Sequence, residues 1–248
     1  MSKRRWIKTH GPDRRALERA IGWLGERAKG AAKAYIAVNT KQTIENIADT
    51  IGRDVAQKLI AGKPVTLSGV HLEIFMLRTK PGSVAGPILA LYPKKDLLDV
   101  IDDMLGLRDV LVVPWVLSDV EPWVAQWGVT EIDGTPAPTR TKTSDPVAEA
   151  AVDDLIGHVN CADHLTNDGD RAAAINTFEI LLRNRVLFHP DEVRAQVMTH
   201  PEGNAPLADA IAEISRGVAE GKRFRNARSI FRDDIIDKWR EQAAKAPK

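Results

Sequence analysis

The sequence predicts an α/β protein: a Rossmann-like mixed or parallel sheet with flanking helices over residues 14–135, followed by an all-helical domain over 146–248. Three observations predict it. Apolar residues in the first half alternate between helical and strand spacing. The stretch Asp133–Pro146 holds three prolines, several threonines and no apolar period, which marks an interdomain linker. Beyond it every apolar pattern is helical.

The first helix is read from Leu17, Ala20, Ile21, Leu24 and Ala28, opened by Gly11-Pro12-Asp13 and ended by Gly30. Ala34–Val38 is a short strand. Ile44, Ile47, Ala48, Ile51, Val55, Leu59 and Ile60 line one face of a long helix, with Gly52 as a kink and Gly62 as its stop. Strands are expected at Val65–Leu67, Val70–Leu77 and Gly86–Tyr92. The Pro81-Gly82 turn predicts that the last two form an antiparallel pair. Leu97, Leu98, Ile101 and Leu105 then line a helix. Asp109–Val113 has the continuous apolar run of a strand buried on both faces. Ser118 and Glu121 have capping-box spacing and open a short helix ending at Gly128, before a last strand at Val129–Ile132.

Five helices are expected in the second half: Val147–Val159, Arg171–Leu187, Asp191–Met198, Ala205–Gly221, and one striped by Ile230, Phe231, Ile235, Ile236 and Trp239. Asp234 and Lys238 are spaced for an i,i+4 pair on the last. The three before it have lengths compatible with a helix-turn-helix-like trio.

At 248 residues the chain can bury a core in each of two domains. No stretch approaches the roughly 20 apolar residues of a membrane span. The basic start, Met1–Lys8, has no apolar run after it as a signal peptide would. Cys161 is the only cysteine and has no internal disulfide partner, which points to a reducing, cytoplasmic setting. The net charge of +1 is uneven. Residues 1–33 carry ten Lys/Arg against three Asp/Glu, and residues 216–248 carry ten against five. Asp145–Asp170 carries seven acids and no Lys or Arg. Such ends can bind a polyanion or fold onto the acidic middle.

Neither a dinucleotide fingerprint nor a P-loop occurs. The candidate ligand pocket is therefore placed by topology, at the turns that follow strands: Asn39 and Thr40 after the first, Trp115 and Ser118 after the apolar central one. Thr40 as a simple helix cap and Ser118 as half of a capping box are the plainer readings. Trp115, Trp123 and Trp127 can floor a pocket or pack the helix onto the sheet. His158, Cys161 and His164 have zinc-type side chains but lack a fourth ligand, so no metal is expected, and no cofactor.

The basic run Lys222, Arg223, Phe224, Arg225 and Arg228 is the candidate nucleic-acid contact, its cations for phosphates and its ring for a base. These features predict a non-catalytic intracellular regulatory or adaptor protein, with an α/β sensing domain and a helical module for a protein or nucleic-acid partner and no membrane contact. The alternative is a hydrolase or nuclease using Asp96, Asp99, Asp102, Asp103, Asp109, Asp119 and Glu121 at the sheet edge.

Overall fold

The structure is a computed structural model that describes residues 3–67, 69–107, 109–135, 144–224, 231–232 and 234–245. The chain divides into two compact units, Met1–Thr139 and Arg140–Lys248.

The first unit is a seven-stranded mixed sheet with helices on both faces. Its strands are β1 (Lys3–Trp6), β2 (Lys33–Val38), β3 (Val65–Leu67), β4 (Val70–Phe75), β5 (Ile88–Leu91), β6 (Asp109–Val113) and β7 (Thr130–Glu131). They lie in the order β3-β4-β2-β5-β6-β1-β7. Every neighbouring pair is parallel except β3 with β4. The helices are α1 (Arg14–Ala28), α2 (Lys41–Asn46), α3 (Ala48–Ile51), α4 (Arg53–Ile60), α5 (Lys95–Asp102) and α6 (Glu121–Trp127). Apolar residues of α1, α2 and α4 pack with Ile36, Val38, Leu89, Leu91, Leu111 and Val113 on one face. Those of α5 and α6 pack with Tyr35, Ala37, Ala90, Val110 and Val112 on the other. The uninterrupted apolar runs of β5 and β6 follow from this two-sided burial.

Four details differ from the sequence reading. The strand Lys3–Trp6 precedes residue 14 and pairs with both β6 and β7; its Lys-Arg-Arg start hides a strand whose Arg4 is largely buried in an ion pair. The long helix is three short ones: Ile47, at ψ 6°, separates α2 from α3, and Gly52, at φ +93°, separates α3 from α4. The antiparallel pair is β3 with β4. β4 and β5 do not pair with each other; both lie parallel to β2, which separates them.

The second unit is all helical where described: α7 (Pro146–Ile156), α8 (Asp168–Arg183), α9 (Pro190–Thr199), α10 (Ala205–Ala219) and α11 (Ile235–Lys245). Its core gathers Val152, Leu155, Phe178, Val197, Ile211 and Trp239. Arg194 meets Asp209 at 2.7 Å, and Arg216 meets Asp191 at 3.5 Å. The second pair lies far from the 200–204 turn on both helices, so α9 and α10 run alongside as an antiparallel hairpin. α11 is fixed to α7 through Asp154, which accepts Lys238 Nζ at 2.6 Å and Trp239 Nε1 at 3.0 Å. Lys238 thus reaches across to another helix, while Asp234 pairs with Arg232.

Candidate functional site

At the carboxyl edge of the sheet, neighbouring strands lead into helices on opposite faces in two places. β2 leads to α2 on one face and β5 to α5 on the other; β6 leads to α6 and β1 to α1 in the same opposed way. Such switch points open crevices where ligands of open α/β sheets bind.

Asn39 spans the first crevice. Its Oδ1 accepts the Lys94 amide at 2.9 Å, and its Nδ2 donates to Asp96 Oδ1 at 3.4 Å. Thr40 is exposed and occupies the N-cap of α2, but its side chain makes no capping bond. In the second crevice the chain after β1 runs beside the chain after β6, with Ile7 N–H on the Val112 carbonyl and Gly11 N–H on the Trp115 carbonyl at 2.7 Å. Trp115 remains 41% exposed. The Tyr92 ring meets it edge-on, centroids 5.0 Å apart.

Tyr92 connects the two crevices. It follows β5, takes φ +53°, and donates its amide to Val113 at 2.7 Å. Its hydroxyl is buried without a hydrogen-bond partner among the described residues. Burial first, and the Asp13 charge second, raise its pKa above the ordinary phenol value. Asp13 caps α1 by accepting the Arg15 and Ala16 amides, and Thr9 donates its hydroxyl to the other oxygen. The Ala16 amide leads the contacts that hold this carboxyl below its usual range, against a burial effect in the opposite direction. Ser118 is exposed in a 3₁₀ turn, Leu117–Asp119. The expected capping box does not form: α6 starts at Glu121, its N-cap is Val120, and Pro122 sets the first turn.

The structure therefore joins Asn39 to Lys94 and Asp96, and Trp115 to Tyr92. Sequence reasoning missed Tyr92 and Thr9; it placed Asp13 at the start of the first helix, where its carboxylate is the N-cap, but not beside Tyr92. The signal available for Tyr92 was an aromatic residue at the end of an apolar strand just before Pro93.

The three tryptophans separate. Trp123 and Trp127, one turn apart on α6, each donate an indole N–H to Asp102 Oδ2 at 2.8 Å. Arg4 Nε bonds the other oxygen at 3.0 Å, and its guanidinium stacks 3.6 Å over the Trp127 ring. This network fastens β1, α5 and α6 together. The carboxylates separate as well. Asp96, Asp119 and Glu121 lie at the carboxyl edge, Asp99 pairs with Lys95, and Asp109 begins β6 at the opposite edge. Among the described residues no three His, Cys, Asp or Glu side chains come together as a metal site.

In the helical unit Lys222 and Arg223 are exposed. Phe224 is half-buried against the core, its ring beside Gly217, with Lys222 Nζ 5.3 Å from the ring centre. Arg225 and Arg228 lie outside the described residues. His158 Nδ1 is 2.6 Å from the Asp154 carbonyl, and Cys161 Sγ is turned to the Ile156 and Val159 carbonyls. Burial first, then Glu202, push the thiol up, which makes it a poor nucleophile at neutral pH.

Residues 144–240 match a family described as "Domain of unknown function (DUF1889)". No curated protein and no solved structure matches the chain. No helix among the described residues is long and apolar enough to cross a membrane.

Proposed function

We propose that the chain is a non-catalytic regulatory or adaptor protein of the cytoplasm. Its α/β unit senses a small ligand at the carboxyl edge, and its helical unit docks a partner. The observation that carries this is Trp115, exposed at a strand switch point and braced edge-on by Tyr92. An aromatic face held rigidly beside a crevice gives a planar ligand contact area at little entropic cost. The free thiol of Cys161 supports the intracellular setting.

The test is a thermal-shift screen of nucleotides and planar aromatic acids. A ligand at about 100 times its Kd stabilises by roughly 2.7 kcal/mol, a shift of several degrees. The shift is expected in the natural chain and not in Trp115→Ala. Equal shifts in both would place the ligand elsewhere. Turnover of a phosphodiester or ester, abolished by Asp96→Asn or Asp119→Asn, would replace this reading by the hydrolase.

A nucleic-acid partner is favoured by one observation, the exposure of both Lys222 and Arg223. Each phosphate contact adds about −0.9 to the slope of log affinity against log salt on duplex DNA. The double change Lys222→Ala, Arg223→Ala is therefore expected to flatten that slope by up to about two and to weaken all sequences alike. A slope that does not change rules out Lys222 and Arg223 as phosphate contacts.

A further inference from the structure

Three helices end in the same hydrogen-bonded turn. After α4, the Gly62 amide bonds the Leu59 carbonyl and Lys63 bonds Lys58; after α10, Gly221 bonds Val218 and Lys222 bonds Gly217; after α8, Arg185 bonds Leu182 and Val186 bonds Leu181. The central residue is left-handed in each, with φ +65°, +77° and +57°. Two are glycine, the residue this position favours. The third is arginine, whose Cβ makes the conformation unfavourable. Arg185 is exposed, and among the described residues its side chain makes no bond that offsets this.

The same turn carries two of the four large apolar side chains most exposed among the described residues. Leu182 is 50% and Leu187 56% accessible, while Leu181 and Val186 beside them are buried in the core. Arg183 is exposed too. Nearby acids are engaged or partly covered: Asp145, whose amide bonds the Leu187 carbonyl, is half-buried and accepts the Val147 amide, Asp191 pairs with Arg216, Glu192 accepts the Ser144 amide, and Glu179 is half-buried. A helix C-terminus favours a cation, which accounts for Arg183. It accounts neither for an arginine in a glycine conformation nor for two uncovered leucines.

We infer that this corner of the helical unit docks an acidic amphipathic helix of a partner protein, its apolar stripe on Leu182 and Leu187 and its carboxylates on Arg183 and Arg185. Charge selects the occupant. A second copy in a symmetric contact would bring four arginines together, and a nucleic acid would leave the leucines unmatched. The inference rests on the reading of the helical unit as a docking module and gives it a partner class.

The probe is a labelled peptide of about 18 residues, five helical turns, with leucine at a and d spacing and glutamate elsewhere. Its anisotropy is followed on the full chain at low salt. Saturable, salt-sensitive binding is expected, weakened about tenfold by Arg185→Gly and by Leu187→Ser. Arg185→Gly is expected to melt a few degrees higher than the natural chain, so its loss of binding cannot come from unfolding. Equal affinity in these variants, equal binding of a lysine-for-glutamate peptide, or no saturable binding overturns the inference. So does a dimer in light scattering that Leu187→Ser dissociates, which would make a second copy the occupant. A failed peptide beside an intact Trp115 ligand response counts against this surface alone.

Discussion

Asp102→Ala is expected to destabilise the α/β unit by about 3–5 kcal/mol at neutral pH, read from chemical denaturation. The Asp102 side chain is 1% exposed and faces an Arg4 side chain that is itself largely buried. Removing the carboxylate strands a guanidinium and leaves two indole N–H groups without their acceptor. The whole pair is a different matter. The attraction between two buried charges recovers no more than their desolvation cost, so Arg4→Met with Asp102→Leu is expected to be near neutral or mildly stabilising. A double variant as unstable as Asp102→Ala would show that the network contributes more than the pairing of its charges.

The same carboxyl gives the unit a distinct pH response. Burial raises its pKa from 3.8 to about 6, and the Arg4 charge and the bonds from Trp127, Arg4 and Trp123 offset only part of that. The folded chain therefore holds this proton more tightly than the unfolded chain. The resulting stability is complete below about pH 4 and is lost as pH rises through about 6, a change of roughly 3 kcal/mol. Asp102→Asn should remove that slope. Asp154 behaves oppositely. Burial raises it, but Lys238 and Trp239 outweigh burial and hold it below the ordinary range, so its contribution is lost only on acidification.

Periodicity made the two-unit plan legible, because burial on one face writes itself into spacing: Leu97, Leu98 and Ile101 for α5, and Val110–Val113 for a strand covered on both sides. It could not reveal β1, whose charged residues are satisfied by partners about a hundred positions away, as Arg4 is by Asp102. Strand order was equally hidden. Pro81-Gly82 reads as a hairpin turn, yet the chain passes over β2 before β5 begins. At the candidate site, position after a strand was enough to find Asn39 and Trp115. Their partners Lys94, Asp96 and Tyr92 come from the chain after β5 and meet them only through the sheet order. Ser118 and Glu121 show the converse. Their spacing satisfies a capping box, but Pro122 and a 3₁₀ turn start the helix without one.

Gly203→Ala is expected to cost the helical unit about 3 kcal/mol or more. A Cβ at Gly203 would lie 1.6 Å from the Val197 carbonyl oxygen, 2.7 Å from its carbon and 3.2 Å from the His200 oxygen. All three are backbone atoms, and no rotamer change moves them aside. Val197 belongs to the last turn of α9, where its oxygen also accepts the His200 amide at 3.2 Å. Either that turn opens or the 200–204 loop retreats. Retreat displaces Asn204, which caps α10 through the Leu207 amide at 2.9 Å and holds the Cys161 carbonyl at 3.0 Å. The damage would then spread to α10 and the loop after α7. Gly221→Ala is the control. Gly221 has φ +77° and open space around its would-be Cβ, so alanine there meets only the left-handed penalty, about 1 kcal/mol. Gly203 needs room and Gly221 needs a backbone angle, and the first need is the larger. Denaturation midpoints that put Gly203→Ala no lower than Gly221→Ala would refute the close approach of α9 to this loop.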